Sequence, residues 1–301
     1  MRLRLGTRGS ALALAQARAV AGALEREGVE TDVVEVATAG DRGAQAGDKS
    51  RWVGELERAL EREDVDVAVH SAKDVPGELA PGLTIAAVPP RADARDVLCG
   101  ASSLDALPAG ARVGTSSLRR RALLAAHHRD VEVLEMRGNV DTRLRRLEEG
   151  RWDAVVLALA GLERLGAAER AGAALDPAVF VPAPGQGALA LEARAADAGT
   201  VAALWTLNDP AAFAALRAER ALCAQLGASC HTPVGAHATA TGDRLELRAF
   251  AGLPDGSEWV TDVGAGPAAA PEDLGRRVGE RMLGAGAGDV LARAEALAPG
   301  A

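Results

Sequence analysis

The sequence of 301 residues predicts an α/β fold with two doubly wound units and a smaller α+β domain at the C-terminal end. Strand and helix patterns alternate from the N-terminus, which is typical of βαβ units in largely parallel sheets. Proline-rich segments at 89–90 and 181–187 bracket one α/β stretch, and the pattern changes after it. The predicted domains are 1–90 with 186–206 (domain 1), 91–185 (domain 2) and 207–301 (domain 3).

The first unit reads as strand, helix, strand, helix, strand. Leu3 and Leu5 lie in a short strand, and Ser10 is the expected N-cap of a helix that Gly28 ends. TDVVEVAT follows as a strand, VGELERALERED as a helix and VDVAVHS as a strand. The Gly-rich, polar residues 38–50 between them predict a loop.

The second unit repeats this alternation, and the tail departs from it. ARVGTSS, VEVLEMRG and WDAVVLALAG read as strands, whereas LRRRALLAAHH and DTRLRRLEEG read as helices. LALEAR is expected to be a strand that returns to the first domain. In the tail, Pro210 opens a helix at its N1 position, RLELRAFAG reads as a strand, and PEDLGRRVGERMLGAGA reads as a helix.

Composition excludes several classes of protein. A net charge of −8 and 2% aromatic residues argue against a nucleic-acid binder. No apolar run approaches the roughly 20 residues that span a bilayer, and the run from Ala11 to Ala15 is shorter than a signal core. We therefore expect a cytoplasmic protein without a membrane partner. The sequence shows no sign of oligomerisation, so a monomer is expected.

Polar residues at the predicted strand ends are mostly Arg, Ser and Thr, which favours a site for a small anion. In GTSSLRRRALL, Ser116 or Ser117 would cap a helix, and Arg119 and Arg120 would fall in its first turn. Cations there cost about 0.3–1 kcal/mol each, because the helix dipole is positive at that end. A bound carboxylate or phosphate would reverse the sign. The alternative is that these are ordinary solvated arginines.

Two further strand ends carry candidate residues. Arg137 ends a strand, Gly138 and Asn139 form a turn, and Arg143 lies in the next first turn. HSAKDVP places Asp74 beside a lysine, where a carboxylate could stabilise a cationic intermediate or move a proton. The alternative for HSAKDVP is an Asp-Val-Pro turn beside a surface lysine.

The three cysteines have different sequence surroundings. Cys99 and Cys223 lie in apolar stretches and are expected to be buried hydrophobic residues. Cys230 lies in the loop GASCHTP beside His231, which could lower its pKa. It is either a reactive or modified thiol, or a loop cysteine of no consequence. There is no Cys-x-x-Cys spacing and no histidine spacing for a metal, so no metal site is predicted.

Taken in order, these segments resemble one family, the porphobilinogen deaminases (hydroxymethylbilane synthases). The similarity rests on RLGTRGSALALAQA, VAVHSAKDVP, GTSSLRRRALL, MRGNVDTRLRRL, ALAGLERLG, PAPGQGALALE and LGASCHTPVGA. The resemblance implies two domains like those of periplasmic-type binding proteins and a small α+β domain. It also implies joining of four porphobilinogen molecules into hydroxymethylbilane in heme biosynthesis, with release of ammonia.

The resemblance also implies roles for particular residues. Cys230 matches the attachment position of a dipyrromethane cofactor, and Asp74 matches the catalytic carboxylate. The residues that match cofactor- and substrate-binding positions, or neighbour them, are Arg8, Ser10, Gln16, Lys49, Ser71, Lys73, Thr115, Ser116, Ser117, Arg119, Arg120, Arg137, Gly138, Asn139, Arg143, Arg164 and Gln186. Lys49 and Lys73 are the two lysines of the chain.

Two other functions fit part of the pattern. A solute-binding protein for a polycarboxylate anion would explain the arginines, but not Cys230, and it would normally need an export signal. A phosphate-ester enzyme would explain charged helix ends, yet neither a P-loop nor a GxGxxG motif occurs.

Overall fold

The computed structural model describes residues 1–37, 50–229 and 232–297, with the backbone alone at 50–52. The chain divides into two compact units, Met1–Ala92 with Ala188–Phe213, and Asp93–Gly187 with Ala214–Ala301. The boundaries predicted for three domains stay predictions. No helix within the described ranges is both long and apolar enough to cross a membrane.

The elements follow the predicted alternation closely. The strands are β1 (Arg2–Thr7), β2 (Glu30–Glu35), β3 (Val67–Ser71), β4 (Leu83–Ala87), β5 (Asp96–Cys99), β6 (Arg112–Gly114), β7 (Glu132–Leu134), β8 (Ala154–Ala158), β9 (Ala173–Ala174), β10 (Leu189–Arg194), β11 (Val234–Thr241), β12 (Arg244–Gly252) and β13 (Trp259–Pro267). The helices are α1 (Ala11–Arg26), α2 (Ser50–Glu61), α3 (Leu118–His127), α4 (Val140–Glu148), α5 (Leu159–Arg164), α6 (Ala198–Trp205), α7 (Pro210–Gln225), α8 (Pro271–Gly284) and α9 (Ala287–Ala296).

The first unit contains a five-stranded sheet in the order β2-β1-β3-β10-β4. β1 pairs in parallel with β2 and β3, whereas β10 is antiparallel to β3 and β4. Val67 and Val69 pack with α1, and the intervening Ala68 packs with α2. Because side chains alternate along a strand, helices cover both faces of this sheet, which is the doubly wound arrangement.

The second unit contains a sheet with the equivalent order, β7-β6-β8-β5-β9. β6 is parallel to β7 and β8, and β5 is antiparallel to β8 and β9. On β8, Val156 packs with α3, while Val155 packs with α4 and α5 on the other face. In each sheet the antiparallel strand is the one at which the chain enters or re-enters that unit.

The C-terminal part of the second unit is α+β. β11, β12 and β13 form an antiparallel sheet whose inner face packs against α7 and α8 around Leu222, Leu247 and Val278. Phe250 of β12 is buried in the core that α3 shares with the preceding sheet. The buried carboxylate of Glu219 on α7 accepts hydrogen bonds from Gly185 N and Ala238 N, at 2.6 and 2.7 Å.

The predicted fold class is confirmed, with local differences. The predicted strand WDAVVLALAG ends at Ala158, and α5 begins at Leu159. The sheets are less parallel than expected, because β5 and β10 run against their neighbours. β13 was not predicted, since its glycines Gly264 and Gly266 weaken a strand pattern.

Candidate active site

The carboxyl ends of β1 and β3 lie at the same edge of the first sheet, as predicted. Leu5 is opposite Val67 in this parallel pair, which places Arg8 and the residues after Ser71 at one end. Ser10 caps α1, as expected, because its side chain accepts a hydrogen bond from Ala13 N at 3.3 Å. This edge therefore joins the first helix N-terminus to the segment that carries Asp74.

Gln16 acts on Ser71 rather than on solvent. Its side chain is buried, and its Nε2 donates to Ser71 Oγ at 2.9 Å. The sequence predicts Gln16 among the residues that bind cofactor or substrate, and that role stays a prediction. The geometry makes it a support for the Ser71 hydroxyl, which is half-buried at the strand end.

The residues Ala72–Asp74 form a short 3-10 turn directly after β3. Ala72 N donates to Ala188 O at 3.0 Å, and Val75 N donates to Ala72 O at 3.2 Å. Lys73 and Asp74 are both half-buried in this turn. The turn thus holds an ammonium and a carboxylate side by side beyond the end of a parallel strand, where ligands bind in open α/β sheets.

In the second unit, Ser117 is the N-cap of α3. Its Oγ accepts from Arg120 N at 3.4 Å, and its own N donates to the hydroxyl of Thr115 at 3.2 Å. Of the two serines considered from the sequence, Ser117 is therefore the cap. Ser116 instead accepts a hydrogen bond at 2.8 Å from Arg143 Nη2.

Arg119 and Arg120 are buried and share one carboxylate, that of Asp96. Arg119 Nη2 lies 2.7 Å from Asp96 Oδ2, and Arg120 Nη2 lies 2.8 Å from Asp96 Oδ1. Burial alone would raise the pKa of Asp96, but the two guanidiniums hold it well below its ordinary value. The sequence suggested either a bound anion or solvated arginines at this helix start, and the structure adds an internal carboxylate that faces both guanidiniums.

Asp96 does not balance all the positive charge around α3. Arg143 is half-buried, and its Nε donates to Gly138 O at 2.8 Å. Burial, together with the nearby Arg120 and Arg146, lowers the pKa of Arg143 to about 10. Arg143 therefore adds a further guanidinium near Arg120, and the resulting excess of positive charge favours binding of an anion.

The remaining predicted site residues of this unit differ in their surroundings and hydrogen bonds. Arg137 Nε pairs with Glu135 Oε1 at 2.6 Å on the surface. Gly138 has φ 116°, so this turn favours glycine. Asn139 is the N-cap residue of α4 without a side-chain capping bond to any described residue. Arg164 Nη2 donates to Gly187 O at 2.6 Å, and burial lowers the pKa of Arg164.

Gln186 belongs to the Asp96 cluster rather than to a surface. It is buried, and its Nε2 donates to Ala94 O at 2.7 Å and to Asp96 Oδ1 at 2.8 Å. Arg119 Nη1 also donates to Val181 O at 2.7 Å. The cluster thereby fixes both ends of the proline-rich segment 181–187.

Lys49 and Cys230 lie outside the described residues. The two residues that flank Cys230 and His231 are hydrogen-bonded to each other. Ser229 N donates to Thr232 Oγ1 at 2.5 Å, and Thr232 Oγ1 donates to Ser229 O at 2.8 Å. Within the described ranges, no group of three or more His, Cys, Asp and Glu side chains is arranged to hold a metal ion.

Sequence reasoning missed the buried acidic residues. Asp96 lies in the otherwise apolar strand DVLC, and His70 Nε2 lies 2.8 Å from Glu192 Oε2 in the first sheet. A lone charged residue inside an apolar strand was the available signal, since an unpaired buried charge is too costly to persist. The partner of each could not be read from the sequence.

These features define a class of α/β protein. One unit carries a carboxylate, Asp74, just after the end of a strand, and the other carries a cluster of arginines whose positive charge favours binding of an anion. Two family models match, described as "Porphobilinogen deaminase, dipyromethane cofactor binding domain" over residues 3–202 and "Porphobilinogen deaminase, C-terminal domain" over residues 213–284. The chain belongs to the porphobilinogen deaminase family.

Individual relatives agree with this assignment. The porphobilinogen deaminase of Deinococcus radiodurans is 44% identical, over 95% of this chain and 97% of that protein. That of Roseiflexus castenholzii is 47% identical, over 96% and 98%. Among solved structures, the BvgS periplasmic VFT2 domain of Bordetella pertussis is 17% identical, with a TM-score of 0.40 over 67% of this chain and 85% of that one. That similarity is weak.

Proposed function

We propose that this chain is a transferase that deaminates porphobilinogen and joins four molecules head to tail into hydroxymethylbilane. It would do so in the cytoplasm as a monomer, in tetrapyrrole biosynthesis. The observation that carries the proposal is the positive surplus around Asp96, because the substrate and product of this reaction are polycarboxylates. Each pyrrole brings an acetate and a propionate, so the growing product gains two negative charges per unit.

Asp74 is the proposed catalytic carboxylate. Loss of ammonia from porphobilinogen leaves an electron-poor pyrrole with developing positive charge. The amine leaves as ammonia from its protonated, ammonium form, and the ionised carboxylate of Asp74 at the strand end would stabilise the positive charge that remains on the pyrrole. Lys73 beside it would bind a substrate carboxylate, and the Gln16 amide would keep the Ser71 hydroxyl oriented.

The arginines of the second unit would bind carboxylates of the cofactor and of the growing product. Arg143 is the strongest candidate for direct contact, because burial and the nearby Arg120 and Arg146 lower its pKa to about 10, and a bound carboxylate would stabilise its charge. Part of each guanidinium of Arg119 and Arg120 is bound to Asp96. These two arginines would therefore attract the carboxylates mainly through their positive electrostatic potential. The remaining proposed contacts are from Arg8, Ser10, Lys49, Thr115, Ser116, Ser117, Arg137, Gly138, Asn139, Arg164 and Gln186.

A dipyrromethane cofactor fits the donor set of this chain. It carries carboxylates, and the arginine cluster supplies guanidiniums that match them. When bound, it supplies the pyrrole to which the first substrate is joined. Of the three cysteines, Cys99 and Cys223 are poor nucleophiles, because burial raises their pKa to about 11 and about 12. Cys230, which matches the attachment position of the family, is the proposed attachment residue.

Intact mass and substrate consumption together test this function. We expect purified protein to be heavier than its sequence by one dipyrrole unit and to release ammonia from porphobilinogen. Cys230→Ala should remove the extra mass, whereas Cys99→Ala and Cys223→Ala serve as matched controls that retain it. A wild-type protein at its bare sequence mass that also leaves porphobilinogen untouched would refute the proposal.

The role of Asp74 is tested separately. Asp74→Asn keeps the shape of the side chain and removes its charge, so we expect normal cofactor mass and loss of most turnover. Turnover equal to that of the wild type would exclude a catalytic role for this carboxylate.

A further inference from the structure

The segment that carries Lys73 and Asp74 is fixed at both ends. At its start, Ala72 N donates to Ala188 O beside β10, at 3.0 Å. At its far end, Ala80 N donates to Glu57 Oε1 on α2, at 3.2 Å. Glu57 is thus the contact through which α2 holds the segment just before it enters β4.

A buried ionisable pair lies directly behind the start of the same segment. His70 immediately precedes Ser71, and its Nε2 is 2.8 Å from Glu192 Oε2 on β10. Their side chains are 4% and 0% exposed. Because Leu189 of β10 is opposite Ser71, this pair joins β3 to β10 at the point where the Asp74 segment leaves the sheet.

The charges of Glu192 and His70 also affect the pKa of Glu57. Burial raises the pKa of Glu57, the hydrogen bond from Ala80 N lowers it, and the nearby Glu192 raises it again, while His70 acts in the opposite direction. Glu192 Oε1 is buried and has no hydrogen-bond partner among the described residues. Glu57 holds the far end of the Asp74 segment and the His70–Glu192 pair lies at its start, so these three residues from α2, β3 and β10 act on one segment.

We propose that Glu57, His70 and Glu192 form a positioning network that fixes the orientation of the Asp74 segment for turnover. This inference rests on the proposed catalytic role of Asp74. None of the three residues needs to touch the substrate. Glu57 holds the backbone at Ala80, and the His70–Glu192 pair holds β3 to β10, so that the Asp74 carboxylate keeps one geometry. Loss of the network should lower the rate of the chemical step more than it weakens substrate binding.

The test compares substitutions on one helix, using only protein that carries the cofactor mass. Glu57→Ala removes the acceptor for Ala80 N, whereas Glu57→Gln retains an acceptor oxygen. Glu61→Gln, an exposed position one turn further along α2, is the matched control. For Glu57→Ala we expect kcat to fall at least about tenfold with KM within about twofold, because small displacements of a reacting group cost rate. Glu57→Gln should recover most of kcat, and Glu61→Gln should equal the wild type.

A second variant tests the buried pair. Glu192→Gln keeps a hydrogen bond to His70 but removes the charge, so it holds the imidazole less strongly than the carboxylate does. We therefore expect kcat to fall with KM unchanged. If Glu57→Ala does not fold, Glu57→Asp replaces it, with a carboxylate one methylene shorter and the same criteria.

Two results would contradict the proposed positioning role of these three residues. One is an unchanged kcat per cofactor-loaded molecule in Glu57→Ala and Glu192→Gln. The other is a fall in activity explained entirely by a smaller folded or loaded fraction. An inactive wild type would instead refute the proposed function.

Discussion

The two five-stranded sheets share one strand order but bury opposite charge. In the first unit, two carboxylates, Glu57 and Glu192, lie near one imidazole, His70. In the second unit, two guanidiniums, Arg119 and Arg120, share one carboxylate, Asp96. The same scaffold can therefore create a negative or a positive surplus, depending on a few residues beside its antiparallel strand.

The difference matches the two tasks proposed for the units. A negative surplus behind the Asp74 segment favours positive charge that develops as ammonia leaves. A positive surplus around α3 favours the carboxylates of the cofactor and product. Glu192 in the first unit and Asp96, Arg119 and Arg120 in the second are buried, and buried charges are screened less than charges at the surface.

The largest effect is expected from Asp96→Asn. It leaves two buried guanidiniums without their carboxylate, and breaking a buried ion pair typically costs about 3–5 kcal/mol. Asp93→Asn is the control, because Asp93 pairs with Arg95 at a half-exposed site and should cost less than about 1 kcal/mol. Urea unfolding of both variants measures the difference. Equal losses would show that the Asp96 cluster is not a special feature of the second unit.

Arg143→Ala should come next, with its effect on binding rather than on folding. Arg143 is part of the uncompensated surplus, so its removal should raise KM for porphobilinogen about tenfold, which equals one lost charged hydrogen bond. Arg145→Ala, on the same helix, removes an exposed guanidinium paired with Glu149 and should leave KM unchanged. Steady-state kinetics at two salt concentrations check this, and an equal KM in both variants would exclude direct binding by Arg143.

Most of the fold could be predicted from the sequence, because periodicity and caps are local signals. Ser10 and Pro210 marked helix starts correctly, and RLELRAFAG coincides with β12. The charge networks could not be predicted. Asp96 precedes Arg119 by 23 residues and His70 precedes Glu192 by 122, so their pairing depends on sheet order rather than on sequence spacing.

The same limit applies to the proposed site. Arg119 and Arg120 were found because they violate a local rule at a helix N-terminus. The sequence offered an anion as the explanation, and the structure added Asp96. Gln16 and Gln186 are predicted to bind cofactor or substrate, and the structure adds that both are buried and hydrogen-bonded to Ser71 and Asp96 respectively. Which polar residues touch a ligand and which support them depends on burial, which only the fold determines.

The contribution of the buried Asp96 carboxylate to stability can be tested by varying pH. Asp96 has a depressed pKa, so its stabilising effect is present above the ordinary carboxyl pKa and is lost only as pH falls through the lower folded value. We expect Asp96→Asn to be less stable than the wild type throughout pH 4–8, with the gap closing only in stronger acid. Thermal unfolding across this range measures it, and a gap that closes near pH 5 would contradict the depressed pKa.

The smallest effect on stability is expected from Glu57→Gln, which should stabilise the protein, whereas Asp96→Asn destabilises it. The pKa of Glu57 is raised above its ordinary value of 4.5, so the folded protein binds this proton more tightly than the unfolded chain does. Stability therefore falls as pH rises from 4.5 through the raised pKa, and the ionised carboxylate opposes folding above it. Glutamine mimics the protonated form and should stabilise the protein at pH 8 by at most about 1 kcal/mol, because solvent screens this half-buried group. The gain should vanish near pH 4, where glutamate is protonated in both states. A variant that is less stable than the wild type at pH 8 would show that the hydrogen bond from Ala80 N outweighs the cost of burying the charge.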